Sequence, residues 1–122
     1  MRAVLVLATA LLLFAQGALS QQADGERVFA RCSSCHALDP DRRRPGPHLL
    51  GVVGRKAGSV EGFRYSPALR EAGEGGLVWD EAALDAFLAS PNDFLPGTTM
   101  RVGVSDAEQR TALLAYLRSA SQ

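Results

Sequence analysis

The sequence is poor in the residues that usually build metal and redox sites. Its 122 residues include two Cys, two His and two Met, one of which is the initiator. Two Cys exclude a small domain held together by several disulfides. The 13 Lys and Arg residues balance the 13 Asp and Glu residues. This balance argues against a nucleic-acid-binding protein, which needs a strongly basic face, and the length predicts a single domain.

Charge is also scarce at the start of the chain, where Arg2 is the only charged residue before Asp24. An apolar run from Ala3 to Ala15 follows Arg2. Small residues then occupy the −3 and −1 positions of a candidate signal-peptide cleavage site after Ser20. This pattern predicts a secretory signal peptide over residues 1–20 and a mature domain over residues 21–122, outside the cytoplasm and periplasmic in a bacterium. The alternative is an uncleaved membrane anchor, but a span needs about 20 apolar residues.

Helical signals lie near the two ends of the mature part. Asp24 is predicted to cap a first helix, from Gly25 to about Cys32. Asp80 is predicted to cap a second helix, which Pro91 ends. Both helices carry apolar residues at helical spacing, so each is expected to bury one face.

The last helix and the middle of the chain complete the predicted fold. Ser105, followed three residues later by Glu108, is typical of a capping box that opens a helix to Arg118. Residues 37–76 are rich in Gly, Pro and Arg and are predicted to be loop, with one short turn near Ser66 to Ala72. Because no stretch alternates with period two for long, we expect an all-α domain of few short helices and long loops.

The most informative motif is Cys32-Ser33-Ser34-Cys35-His36. Two thiols on one helical turn can add to the two vinyl groups of a haem, and the next imidazole can bind the iron, which is the c-type attachment pattern. A thioredoxin-like dithiol needs a βαβ context that the sequence lacks. A structural zinc site needs four well-spaced ligands, and a disulfide between Cys32 and Cys35 would close a very small loop. We therefore predict one covalently bound haem c.

Low-spin haem iron in an electron carrier takes a second axial ligand, and the sequence offers two candidates. Met100 lies in Pro96-Gly97-Thr98-Thr99-Met100, between two predicted helices, and is the only methionine after the expected leader. A thioether ligand raises the reduction potential relative to a second imidazole. The alternative for Met100 is core packing. The competitor is His48, although a lone loop histidine is more often a solvated surface residue.

Taken together, these motifs resemble the class I cytochrome c family, in its mitochondrial and alphaproteobacterial type. The resemblance extends from about Gly25 to Arg118, nearly the whole mature chain. It implies the cytochrome c fold wrapped around one haem, with His36 and Met100 as the iron ligands. The residues that carry it include Gly25, Phe29, Cys32, Cys35, His36, Gly46, Pro47, Gly54, Arg55, Tyr65, Trp79, Pro91, Pro96, Gly97, Met100, Tyr116 and Leu117.

The resemblance also implies roles around the haem. The Pro47 carbonyl accepts a hydrogen bond from His36, which orients the ring. Arg55, Tyr65 and Trp79 are implied to bond the haem propionates, with Thr98 nearby. Without the resemblance, Tyr65 and Trp79 would be interpreted as core residues.

A second implication concerns packing. The resemblance places Gly25 and Phe29 against the last helix, near Leu113 and Tyr116. The missing Cβ of Gly25 allows the two backbones to approach closely.

The implied function is that of a soluble monohaem electron carrier and not an enzyme. Its expected partners are redox proteins, namely a membrane cytochrome complex, a terminal oxidase or a periplasmic dehydrogenase, and the protein is expected to be a monomer. The alternatives are a haem c subunit serving a dedicated dehydrogenase, or a peroxidase-like enzyme, which would need an open iron position. A haem-based ligand sensor would require easy release of Met100.

The chain departs from the family pattern at several positions. Phe87 stands where mitochondrial proteins usually have a tyrosine whose hydroxyl approaches the methionine sulfur. Lys56 is the only lysine, so the lysine ring of the mitochondrial proteins is missing. Arg42, Arg43 and Arg44 supply positive charge instead, and docking to the usual acidic partners does not follow from the resemblance.

Overall fold

The computed structural model describes residues 2–120, with side chains from residue 11 onward. Seven elements follow one another along the chain: α1 (Arg2–Phe29), β1 (Arg55–Lys56), α2 (Pro67–Glu74), β2 (Val78–Trp79), α3 (Glu81–Ala89), α4 (Pro91–Phe94) and α5 (Ala107–Ser119). The predicted fold of few helices and long loops is confirmed. The prediction did not include the two short strands, which pair antiparallel with Arg55 opposite Trp79.

The first helix begins much earlier than predicted. It runs from Arg2 without a break, so the prediction that Asp24 caps its start is wrong. Asp24 instead lies inside the helix and pairs with Arg27 at 3.2 Å. The helix extends further toward the N-terminus than predicted because the segment before Asp24 is rich in Ala and Leu, both strong helix formers. In the described part of the chain, no helix is long and apolar enough to cross a membrane.

The packing of α1 against α5 follows the expectation. A Cβ on Gly25 would overlap the Ala112 carbonyl and lie 2.6 Å from Tyr116 Cβ. The Phe29 and Tyr116 rings are neighbours, with centroids 5.6 Å apart. Leu113 is the most deeply buried large side chain among the described residues, with 1% of its surface exposed. The two helices therefore form a close pair at one side of the core.

The start of α5 differs from the prediction by one residue. Asp106 is the N-cap, and its Oδ1 accepts a hydrogen bond from Gln109 N at 2.8 Å. The prediction that Ser105 caps this helix is therefore wrong. The Ser105 carbonyl instead accepts from the Arg110 guanidinium at 2.9 Å, so Ser105 belongs to the preceding loop.

The other helices have clear local causes. Asp80 caps α3, as predicted, with Oδ1 accepting from Ala83 N at 2.8 Å. Ser66 caps α2, which is longer than the single turn expected there. Pro91 ends the α3 segment, as predicted, and also begins the short helix α4. Proline suits this position because it lacks the N–H that the first turn leaves unpaired.

Three aromatic rings pack together in the core. Trp79 and Phe87 have ring centroids 5.0 Å apart, and Phe94 packs against both rings. The other buried apolar members come from all parts of the chain: Val28, Val52, Ala57, Leu84, Leu88, Val104, Leu113, Leu114 and Leu117. Met100 is partly buried against this core.

Candidate functional site

The cysteine–histidine motif lies on a turn that continues α1. Cys32 N bonds to Phe29 O at 2.8 Å, and His36 N bonds to Cys32 O at 2.8 Å. Both Cys32 and Cys35 are free thiols, so the structure does not contain the small disulfide considered above. Burial raises the pKa of the Cys32 thiol, an effect that Arg31 partly offsets. The motif thus presents two free thiols and one imidazole on a single turn.

The His36 ring is oriented by the backbone. Its Nδ1 lies 2.7 Å from the Pro47 carbonyl oxygen, which is the hydrogen bond that the resemblance implies. Because a carbonyl can only accept, Nδ1 carries the hydrogen and Nε2 keeps its lone pair. Burial lowers the pKa of His36, and Arg55 lowers it further, while the bond to Pro47 works in the opposite direction. The neutral imidazole that results is the form that binds metals.

Gly46 is required next to this ring. A Cβ at Gly46 would lie 2.7 Å from His36 Nδ1 and 2.8 Å from the Cys35 carbonyl oxygen. The Gly46 N–H also donates to that oxygen, at 2.6 Å. Gly46 therefore leaves room for the imidazole, and Pro47 supplies the carbonyl oxygen to which its Nδ1 bonds.

The short sheet brings Arg55 and Trp79 together, since they are register partners. The Arg55 guanidinium donates to His48 O at 3.0 Å and to Leu50 O at 3.2 Å. Burial lowers the pKa of Arg55, and Tyr65 is close enough to oppose that shift. The Tyr65 hydroxyl accepts a hydrogen bond from Val60 N at 2.9 Å. Three of the four residues implied at the propionates therefore lie in one region.

Thr98 and Met100 lie on a different segment, between α4 and α5. Thr98 is buried, with 4% of its surface exposed, and its N–H donates to Leu95 O at 3.1 Å. Gly97 has a φ of +89°, a conformation that favours glycine over other residues. Met100 follows this turn and contacts the edge of the core. The Pro-Gly turn thus directs the methionine toward the protein interior.

His48 is partly buried. Its Nδ1 is buried and has no hydrogen-bond partner within the described residues. Burial and the positive charge of Arg55 lower its pKa. Buried polar atoms without a partner are rare in folded proteins. An additional hydrogen-bonding group near Arg55 would therefore satisfy it.

Arg110 is a residue that the sequence reasoning missed. Its guanidinium bonds Asp85 on α3 and two carbonyl oxygens at the end of the segment that carries Met100. The sequence shows only opposite charges on two predicted helices, and their pairing depends on how those helices pack.

The residues present fit a covalently bound haem. Two free thiols on one turn match thioether attachment, and a neutral imidazole with a free Nε2 matches iron ligation. Arg55, Tyr65 and Trp79 supply N–H and O–H groups suited to carboxylates. In the described part of the chain, no three His, Cys, Asp or Glu side chains cluster as an ordinary metal site.

Comparison with known proteins agrees with this chemistry. A family model described as cytochrome c matches residues 22–121. Cytochrome c2 of Agrobacterium tumefaciens (strain II Chrys) is 42% identical over 97 residues, covering 78% of this chain and 87% of that protein. A cytochrome c2 of Rhodopseudomonas palustris is 40% identical over 109 residues, covering 78% of this chain and 94% of that protein.

A solved structure extends the likeness to the fold. The structure of cytochrome c2 from Rhodospirillum centenum superposes with a TM-score of 0.78 and 36% sequence identity. The superposed region covers 83% of this chain and 98% of the Rhodospirillum centenum chain. The match therefore includes nearly the whole of that protein.

Proposed function

Because the chain belongs to the cytochrome c family, and its cytochrome c2 homologues are electron carriers and not enzymes, we propose that His36 and Met100 ligate the haem iron. Cys32 and Cys35, whose thiols are free in the structure, would hold the haem c covalently through thioether bonds. When bound, the haem supplies one iron that alternates between ferric and ferrous states. The observation that carries the proposal is the 2.7 Å contact between His36 Nδ1 and the Pro47 carbonyl.

His36 would bind the iron through Nε2. The bond to Pro47 fixes the tautomer and the ring orientation, and it makes Nε2 a more basic ligand. Gly46 leaves room for this orientation. A ring held in this way needs little rearrangement when the iron changes charge, which favours rapid one-electron transfer.

Met100 serves as the second ligand. Its thioether is a soft donor that stabilises ferrous iron and so raises the reduction potential. Phe87 is buried and carries no hydroxyl, so it cannot donate a hydrogen bond to the sulfur. A methionine in this position closes the iron to small molecules, which suits an electron carrier better than a peroxidase.

Arg55, Tyr65, Trp79 and Thr98 bind the haem propionates in this proposal. Arg55 uses two nitrogens for backbone carbonyls and keeps further N–H groups free. Tyr65 accepts a hydrogen bond from Val60 and keeps its own hydrogen to donate. These donors, at partly buried positions, offset the cost of removing carboxylates from water.

We place the mature protein, residues 21–122, in the periplasm as a monomer. The support is the leader-like start of the sequence and the likeness to bacterial cytochrome c2 proteins. Its partners are redox proteins, such as a membrane cytochrome complex, a terminal oxidase or a periplasmic dehydrogenase. The exposed residues Arg42, Arg43 and Arg44 provide positive charge for such contacts.

Absorption spectroscopy of the ferric holoprotein tests the ligand assignment. Thioether ligation gives a weak long-wavelength charge-transfer band. Met100→Ala should abolish this band and leave the covalent haem in place, while the matched control His48→Ala should retain it. A wild-type protein without this band, whose spectrum changes in His48→Ala and stays the same in Met100→Ala, would show that His48 and not Met100 binds the iron.

Intact-protein mass spectrometry tests export and attachment together. Protein purified from the periplasmic fraction should begin near Gln21 and carry one haem that acidic organic solvent does not extract. An uncleaved leader would indicate a membrane-anchored form instead. Extractable haem would overturn the thioether assignment.

A further inference from the structure

Arg110 joins three parts of the protein through one side chain. Its Nε donates to Asp85 Oδ1 on α3 at 2.8 Å. Its Nη1 donates to Val104 O at 3.0 Å and to Ser105 O at 2.9 Å. The two carbonyls end the segment of residues 95–106 between α4 and α5, here called the methionine loop. Only 13% of the Arg110 side chain is exposed, so water competes weakly for these bonds.

The same end of the methionine loop is also attached to α3. Val104 N donates to Leu88 O at 2.7 Å, and the Val104 side chain is buried. A Cβ on Gly103 would lie 2.5 Å from Leu88 O and 3.0 Å from Pro91 Cδ, so the backbones are in close contact. Arg110 therefore supports this contact from the α5 side, while α3 supports it from the other.

Met100 lies between the two attached ends of the loop. At the first end, Leu95 N bonds to Pro91 O of α4 at 2.9 Å, and Thr98 N closes a turn onto Leu95 O at 3.1 Å. At the second end are Val104 and the Arg110 contacts. Displacement of the Met100 backbone away from the core is opposed by the attachments at both ends. The stability of the second end thus governs how often the sulfur moves.

We propose that Arg110 is a positioning residue that restricts release of Met100 from the haem iron, by holding the methionine loop to Asp85 and α5. This inference rests on the proposed assignment of Met100 as an iron ligand. Three simultaneous bonds require the planar fork of arginine, because a lysine ammonium offers no fixed set of nitrogens at this spacing. The bonds involve a charged donor, which makes each of them stronger than a neutral hydrogen bond.

A neighbouring ion pair provides a matched control. Arg118 pairs with Glu81 and joins the same two helices, α5 and α3. About half of each of these side chains is exposed, and neither has a hydrogen bond to the methionine loop. Exposed pairs of this kind contribute little to stability. Removing Arg118 therefore tests whether a lost helix–helix ion pair alone affects the iron ligand.

The experiment measures imidazole binding to the ferric holoprotein, since imidazole binds where Met100 has left. Arg110→Gln should raise the affinity for imidazole about tenfold, equivalent to about 1.4 kcal/mol. Asp85→Asn should raise it by a smaller factor, because the carbonyl contacts of Arg110 remain. Arg110→Lys should fall between wild type and Arg110→Gln. Arg118→Gln should leave the affinity within a factor of two of wild type.

The thermal loss of the sulfur–iron absorption band provides a second measurement. In Arg110→Gln this band should disappear at a temperature further below global unfolding than in wild type. Equal imidazole affinities in wild type, Arg110→Gln and Asp85→Asn would overturn the proposal. So would an equal rise in Arg118→Gln, which would indicate general destabilisation.

Failure of the underlying ligand assignment would look different. If Met100 does not bind the iron, the wild-type protein lacks the sulfur band and Met100→Ala keeps the wild-type spectrum. If Arg110→Gln does not fold, Asp85→Asn and Arg110→Lys still test the proposal through the same two measurements.

Discussion

Gly25 lies where the backbones of α1 and α5 meet, and replacing it with alanine tests the packing of the fold directly. The new Cβ would overlap the Ala112 carbonyl oxygen and lie 2.6 Å from Tyr116 Cβ. A carbonyl oxygen within a helix cannot rotate away as a flexible side chain can. The two helices must therefore separate by about 1 Å in an interior that resists such shifts.

The expected loss of stability follows from two opposing effects. Overpacking of this kind costs about 1–3 kcal/mol. Alanine is a better helix former than glycine by about 1 kcal/mol, which offsets part of the loss. Because the overlap involves backbone, the cost should lie at the upper end, and we expect a net destabilisation of about 2 kcal/mol. For a domain of this size the melting temperature should fall by about 10 °C.

Thermal and denaturant unfolding of the holoprotein, followed by circular dichroism, measure this loss. The matched control is Glu26→Ala, which introduces the same residue at the adjacent, exposed position of α1. That control should change the free energy of unfolding by no more than about 0.5 kcal/mol. Equal stability of Gly25→Ala and wild type would refute the close approach of α1 and α5.

Three other results are expected. Gly46→Ala should displace the His36 ring from Pro47, lower the yield of holoprotein and shift the Soret spectrum. Gly75→Ala is the control and should cause none of these changes, because no neighbour lies closer than 3.3 Å to a Cβ at that position. Asp106→Ala should lower the free energy of unfolding by about 1 kcal/mol because it removes the cap of α5, while Ser105→Ala should lower it hardly at all. The reverse order in denaturant unfolding would show that Ser105 is the cap. With Lys56 as its only lysine, the protein should transfer electrons at rates that depend only mildly on salt; a steep dependence in stopped-flow experiments that disappears when Arg42, Arg43 and Arg44 are replaced would locate a focused basic patch.

The features that sequence reasoning predicted well are those determined by neighbouring residues. The cysteine–histidine motif, the Asp80 cap and the Pro-Gly turn before Met100 each depend on a few consecutive positions. Their chemistry or backbone geometry is therefore visible without knowledge of the fold. The packing of Gly25 against Tyr116 needed the family resemblance, because no local signal specifies that partner.

The features that it missed depend on distant parts of the chain. The contacts of Arg110 with Asp85 and with the Val104 and Ser105 carbonyls depend on how α3 and α5 pack. The pairing of Arg55 with Trp79 joins two loops that carry no strand pattern of their own. The buried Nδ1 of His48 likewise depends on how these loops fold together.

Two local predictions were also wrong. The start of α1 was misplaced, since a good cap residue does not interrupt a favourable helix. The cap of α5 is Asp106 and not the adjacent Ser105.

The most direct test of the central claim is a spectroelectrochemical titration of the purified holoprotein, with Met100→Ala measured beside it. The wild-type protein should bind one haem per chain and titrate reversibly as a single one-electron couple. Met100→Ala should keep its covalent haem and titrate at a lower potential, because the soft sulfur that stabilises ferrous iron is gone. An irreversible wild-type titration, or an unchanged potential in Met100→Ala, would contradict an electron carrier with iron held between His36 and Met100.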